Sequence, residues 1–90
     1  MVSEKFEWDE IKRKSNIAKH SIDFIDAVKI FDDTHRIERP IIKNNEQRVQ
    51  TIGLMDDIVI FVVYTIRNSK IRIISARCAN KIEREAYFDA

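Results

Sequence analysis

Residues 58–79 read IVIFVVYTIRNSKIRIISARCA. Two runs of β-branched and aromatic residues flank Arg67-Asn68-Ser69-Lys70, the pattern of two long strands joined by a tight hairpin. Asn68 is the residue best suited to a positive φ in that turn. The strands are apolar at nearly every position, so both faces are expected to be covered at least in part. Arg72 and Arg77 interrupt the second strand, and an arginine in a core strand has a partner or a job. On plain alternation these two side chains point to opposite faces. Either a bulge within Ile74-Ser75-Ala76-Arg77 brings them together, or only one of them serves a site.

Upstream of the hairpin, Glu46 to Leu54 alternates, with Arg48, Gln50, Ile52 and Leu54 on one face and Val49, Thr51 and Gly53 on the other. Asn44-Asn45 and Asp56-Asp57 bound it as turns. Thr34 to Lys43 carries Pro40, which lacks a ladder donor, so this segment is an edge or bulged strand. Phe24, Ala27, Val28 and Phe31 form an i, i+3, i+4, i+7 stripe behind Asp23 as N-cap, predicting a short helix that ends near Asp32-Asp33. Before it, Asp9 caps a basic helix running to Lys19 or His20, with Trp8, Ile11, Ser15 and Ala18 as its apolar face. Phe6-Glu7-Trp8 reads as a brief edge strand. Downstream, Asn80 and Glu83 have capping-box spacing, and Ile82, Ala86 and Tyr87 line one side of a C-terminal helix. The order predicts a single α+β domain spanning residues 1–90: an antiparallel four-stranded meander sheet with two N-terminal helices and a short C-terminal one.

The 90 residues are 44% hydrophobic, enough for a core in a domain of this size. No stretch resembles a membrane span, the opening MVSEKFEWDE has no leader pattern, and the lone Cys78 forms no internal disulfide; together these predict a soluble, cytoplasmic protein without membrane contact. The single glycine, Gly53, excludes a glycine-rich phosphate loop. Net charge is +1, but its distribution is uneven: −2 over residues 1–33, +4 over 34–80 and −1 over 81–90. The sheet region is the basic part, and its cations are mostly arginine, which grips phosphate bidentately and stacks on bases. A solvated face with intramolecular ion pairs is the plainer reading of the same charges.

Several pieces in order resemble the BrnT toxin family: Trp8-Asp9, Lys12, Asn16 and Lys19-His20; then Phe24, Ala27, Phe31 and Asp32; Glu46, Arg48 and Gly53; Val63-Tyr64-Thr65; Ile71 to Arg77; and Ala79, Glu83 and Tyr87. The resemblance covers Phe6 to Tyr87. It implies a RelE-like fold and a ribonuclease toxin of a type II toxin–antitoxin pair that cleaves RNA without metal and inhibits translation. It also implies a BrnA-like ribbon-helix-helix antitoxin through which alone promoter DNA is bound. Two positions depart from the family pattern. Ser21 stands where a glycine commonly follows the Lys-His pair, which costs roughly 1 kcal/mol if φ is positive there. Cys78 stands where an arginine is common.

Metal-free RNA cleavage requires loss of a proton from the 2′-OH, gain of one by the leaving oxygen, and stabilisation of the phosphorane. Under the resemblance, Arg48, Arg72 and Arg77 suit the last task and His20 the proton transfers, because its unperturbed pKa lies near 6.5. Lys19, Tyr64 and Glu46 are candidate substrate contacts, with Glu46 also a possible base. Against these stand structural roles: ion pairs with Asp9, Asp32 or Glu83 for the arginines, a helix cap for His20, a core position for Tyr64, a turn edge for Glu46. His35 receives no role. The His, Cys and Asp residues have no recognised metal-ligand spacing, no cofactor is implied, and Cys78, at the end of a buried-looking strand, makes no nucleophilic pair. The alternatives are a non-catalytic corepressor module that only binds its antitoxin, and an unrelated α+β ligand-binding domain.

Overall fold

The computed structural model describes residues 4–89, so Met1 to Ser3, the start of the stretch read for a leader, and Ala90 lie outside the described residues. The chain forms β1 (Phe6–Glu7), α1 (Glu10–His20), α2 (Phe24–Ala27), a 3₁₀ helix (Val28–Asp32), β2 (Ile37–Lys43), β3 (Glu46–Met55), β4 (Ile58–Arg67), β5 (Lys70–Cys78) and α3 (Lys81–Asp89). Strands β2 to β5 form the expected antiparallel meander. The sheet itself is five-stranded and mixed, in the order β1-β5-β4-β3-β2, which corrects the four-stranded antiparallel expectation. β1 enters beside the last strand, parallel to it, through Phe6↔Ile71 and Glu7↔Arg72. A two-residue strand is too short to show alternation, and its partner lies at the far end of the chain.

Local signals fix most element ends. Asp9 accepts from the N–H groups of Ile11 and Lys12, and Asp23 from that of Ile25. Asn80 and Glu83 exchange the two hydrogen bonds of a capping box. The hairpin turns put Asn44-Asn45 and Asn68-Ser69 at positive φ, the mirror-image turns whose twist matches the strands.

Sheet register separates two faces. Val49, Thr51, Gly53, Ile60, Val62, Tyr64, Ile73 and Ala76 face the helices, and most of them join Trp8, Ile22, Phe24, Ala27 and Ile30 in the main core. α1 meets this core differently from its expected face. Ile11 is 80% exposed and Ala18 is exposed, while the buried residue of α1 is Asn16. The next helix also differs. After Ala27 it tightens to 3₁₀, so Phe24, Ala27 and Ile30, spaced by threes, are the buried residues, and Val28 and Phe31 are half-buried. Gly53 permits this approach: a Cβ there would lie 2.7 Å from Ile30 Cγ1 and 3.0 Å from Arg36 Cβ.

On the other face a smaller core joins Val59, Ala79 and Tyr87, flanked by Ile37, Ile52 and Leu54. α3 therefore covers only one end of this face. It docks through Tyr87, whose hydroxyl donates to Asp33, while Ile82 is 76% exposed and Ala86 is exposed, contrary to the expected stripe. Cys78 is exposed, not buried.

Candidate functional site

Beyond α3, no helix among the described residues covers the second face of the sheet, and the register gathers the cations there. β5 carries a bulge that decides whether Arg72 and Arg77 share a face. Val63 pairs with Ser75 and Tyr64 with Ile73, leaving Ile74 without a partner. The extra residue resets the alternation, so Arg72 opposite Thr65 and Arg77 opposite Phe61 point to the same side. Arg48 is one step from the Val49↔Tyr64 pair and therefore stands on that side too, across Thr65 from Arg72. Glu7 extends the same row from β1. Rows on either side add Lys43, Glu46, Arg67 and Lys70, and Arg39, Gln50, Val63 and Ser75.

The central arginines are held by carboxylates. Arg72 Nη1 donates to Glu7 Oε2 at 2.8 Å. Glu46 lies between two cations, accepting from Arg48 Nε at 3.0 Å and Arg67 Nη2 at 3.1 Å. Those bonds, Arg48 first, hold its carboxyl below the ordinary carboxylate range. Arg77 makes a bidentate pair with Glu83 from α3 at 2.8 and 2.9 Å and stacks over the Phe61 ring at 4.2 Å. The Arg77 guanidinium is thereby held more firmly protonated and the Glu83 carboxyl lowered. Among the described residues, Arg39, Lys43 and Lys70 have no carboxylate in ion-pair reach. Buried Thr65, between Arg48 and Arg72, gives its hydroxyl to Gln47 O at 2.8 Å.

Arg48, Arg72, Arg77 and Glu46 thus share one face. The other sequence candidates do not join them. Lys19 and His20 are exposed at the end of α1, in the helical layer on the opposite side. Tyr64 is 7% exposed on the helix-facing side, where its hydroxyl donates to Glu38 and its ring meets Phe31 edge-on. Burial and that carboxylate push its pKa far up. Glu7, Thr65, Arg67 and Lys70 were missed, and the hairpin pairing Arg67↔Lys70 was the available signal for the last two. Glu7 had none, because its place depends on a non-local parallel pair. Among the described residues no group of His, Cys, Asp or Glu is placed to hold a metal ion, and no helix is long and apolar enough to cross a membrane.

An uncovered antiparallel sheet face rich in arginine can bind a phosphodiester chain by charge-assisted, planar contacts. No curated protein matches the chain. A family model described as "Ribonuclease toxin, BrnT, of type II toxin-antitoxin system" matches residues 8–83. That span includes β2 to β5 and every residue of the arginine row except Glu7, and the chain belongs to the BrnT family of type II toxin–antitoxin ribonuclease toxins.

Proposed function

We propose that this chain is an endoribonuclease that cuts RNA on the open sheet face without a metal ion, inhibits translation, and is silenced by an antitoxin that covers the same face. The supporting observation is the convergence of Arg48, Arg72 and Arg77 beside unpaired Arg39, Lys43 and Lys70. A type II pair supplies a protein antitoxin as partner. We assign that partner the ribbon-helix-helix class, with promoter DNA reached only through it, and we keep the RelE-like relationship as part of this reading.

In this mechanism the arginine–carboxylate pairs keep the site in place until RNA arrives. Arg48 and Arg72, roughly 10 Å apart at the backbone with Thr65 between them, close on one phosphate. As Arg48 turns to the phosphate, Glu46 loses one of the two hydrogen bonds that hold its carboxyl low and becomes a better base. Glu46 takes the 2′-OH proton, the 2′-oxygen attacks phosphorus, and the 5′-oxygen leaves, taking a proton from a water whose hydroxide then takes back the proton held by Glu46. The products are a 2′,3′-cyclic phosphate and a 5′-OH end. Arg77 binds a neighbouring phosphate. His20 and Lys19, in the other layer, have no part in this step.

The test is incubation of the purified chain with RNA in EDTA and mapping of the ends. New 5′-OH ends, formed far more slowly by folded Arg72→Ala, are expected; intact RNA with the fold preserved would overturn the proposal. The neutralised state of the three arginines favours a second reading, a corepressor that only binds its antitoxin. Tight antitoxin binding without any cleavage would establish it.

A further inference from the structure

We infer that Asn16 is a positioning residue: its side-chain amide substitutes for a missing strand beside β5, fixes the bulge at Ile74, and so keeps Arg72 and Arg77 on one face. The inference deepens the proposed use of that face and rests on it only for its RNA readout. β1 pairs with β5 no further than Arg72. Beyond that residue the outer edge of β5 has no strand partner among the described residues, although it belongs to the core, with Ala76 fully buried. A buried backbone N–H and C=O there need partners. Asn16 supplies both. Its Oδ1 accepts from Ala76 N at 3.1 Å, and its Nδ2 donates to Ala76 O at 2.8 Å. The second Nδ2 hydrogen goes to Ile22 O at 2.9 Å, tying the amide to the turn after α1.

An asparagine amide pairs with one residue's N–H and C=O as a neighbouring strand would. Leucine, similar in shape, offers neither bond. Aspartate accepts from the N–H but gives nothing to the two carbonyls. The contact falls between Ser75 and Arg77, immediately after the bulge. A bulge on an unpaired edge can migrate, and a shift of one residue turns every side chain it passes to the other face. With Ala76 clamped, Ile74 is the residue left out, and Arg77 stays over Phe61.

The first measurement uses the unmodified chain. The Ala76 amide is expected to exchange with solvent as slowly as the ladder amides of β4; exchange at the rate of an open edge overturns the inference. Next come Asn16→Leu and Asn16→Asp, followed by cross-strand nuclear Overhauser contacts. In Asn16→Leu the Val63–Ser75 and Phe61–Arg77 contacts should be joined or replaced by a slipped set. Affinity for a 2′-O-methyl oligoribonucleotide should fall about tenfold. Asn16→Asp should be intermediate. Deleting Ile74 as well should restore one register and the affinity, because plain alternation then puts both arginines on one side; a purely structural loss would not be rescued this way. A single, unshifted register in Asn16→Leu overturns the inference. If the unmodified chain binds no RNA, the exchange and register results still decide it, and only the proposed function fails. If Asn16→Leu does not fold, the Ala76 exchange rate and the double variant carry the decision.

Discussion

Ser21 closes α1 with φ at 59°, in the left-handed region. A serine there is strained relative to glycine, so Ser21→Gly should raise unfolding free energy by about 1 kcal/mol, read by urea titration. No change would mean that the serine finds compensation at this cap. At the site, Arg72→Ala should lower kcat/KM for RNA by about 100-fold, the usual effect of losing one donor to a developing oxyanion. A loss confined to KM would instead place Arg72 in ground-state binding. Single residues were legible where their partners are near in sequence. Asp9, Asp23 and the Asn80–Glu83 box were visible because each bonds within three positions of itself. Asn16 was visible only as part of a family resemblance, because its decisive partner lies 60 residues away. The same distinction separates Arg77, whose partner Glu83 lies six positions away, from Arg72, whose partner Glu7 is brought in by a parallel strand.

At the level of elements, Gly53 sets how closely the 3₁₀ helix lies on β3. Gly53→Ala pushes a methyl toward Ile30 and toward Asp33 Oδ2, at 3.2 Å, and is expected to destabilise by about 1–3 kcal/mol. Thermal unfolding with a methyl-region spectrum would check it, and a neutral result would show that the helix shifts freely. The meander, its turns and the inside-outside order of β3 were legible because alternation and turn chemistry act locally. The bulge was legible only as a condition: two arginines five apart share a face only if a bulge lies between them, and nothing in the residues chose between that and a single functional arginine. The expected faces of α1 and α3 went wrong for a common reason. Both helices dock by a polar group that ties to another element, Asn16 to Ala76 and Tyr87 to Asp33, and leave Ile11 and Ile82 outside. Hydrophobic spacing does not register that kind of docking.

For the whole molecule, paired carboxylates make stability depend on pH. The Arg13 pair lowers Asp23, the Arg77 pair lowers Glu83, and Arg48 with Arg67 lowers Glu46. Burial pulls Asp33 upward, but the hydrogen bonds from Tyr87 and from the Leu54 and His35 N–H groups more than offset it. Each folded pKa lies below its unfolded value of 3.8 or 4.5, so this stability is fully present above that value and is lost as pH falls through the folded one. The melting temperature should be level near neutrality and drop below about pH 4, less steeply in Asp33→Asn; a curve flat from pH 7 to 3 would contradict the pairing. The excess of cations over residues 34–80 already pointed to a basic sheet, whereas which side was basic depended on strand register. The sheet also ends differently at its two margins. On β2, Pro40 removes a donor from the outermost strand, with Glu38, Arg39 and Lys43 along it. On β5, the Asn16 amide occupies the margin where β1 stops. Neither rim offers another chain an unbroken ladder to extend, which disfavours edge-to-edge pairing of copies into a continuous sheet.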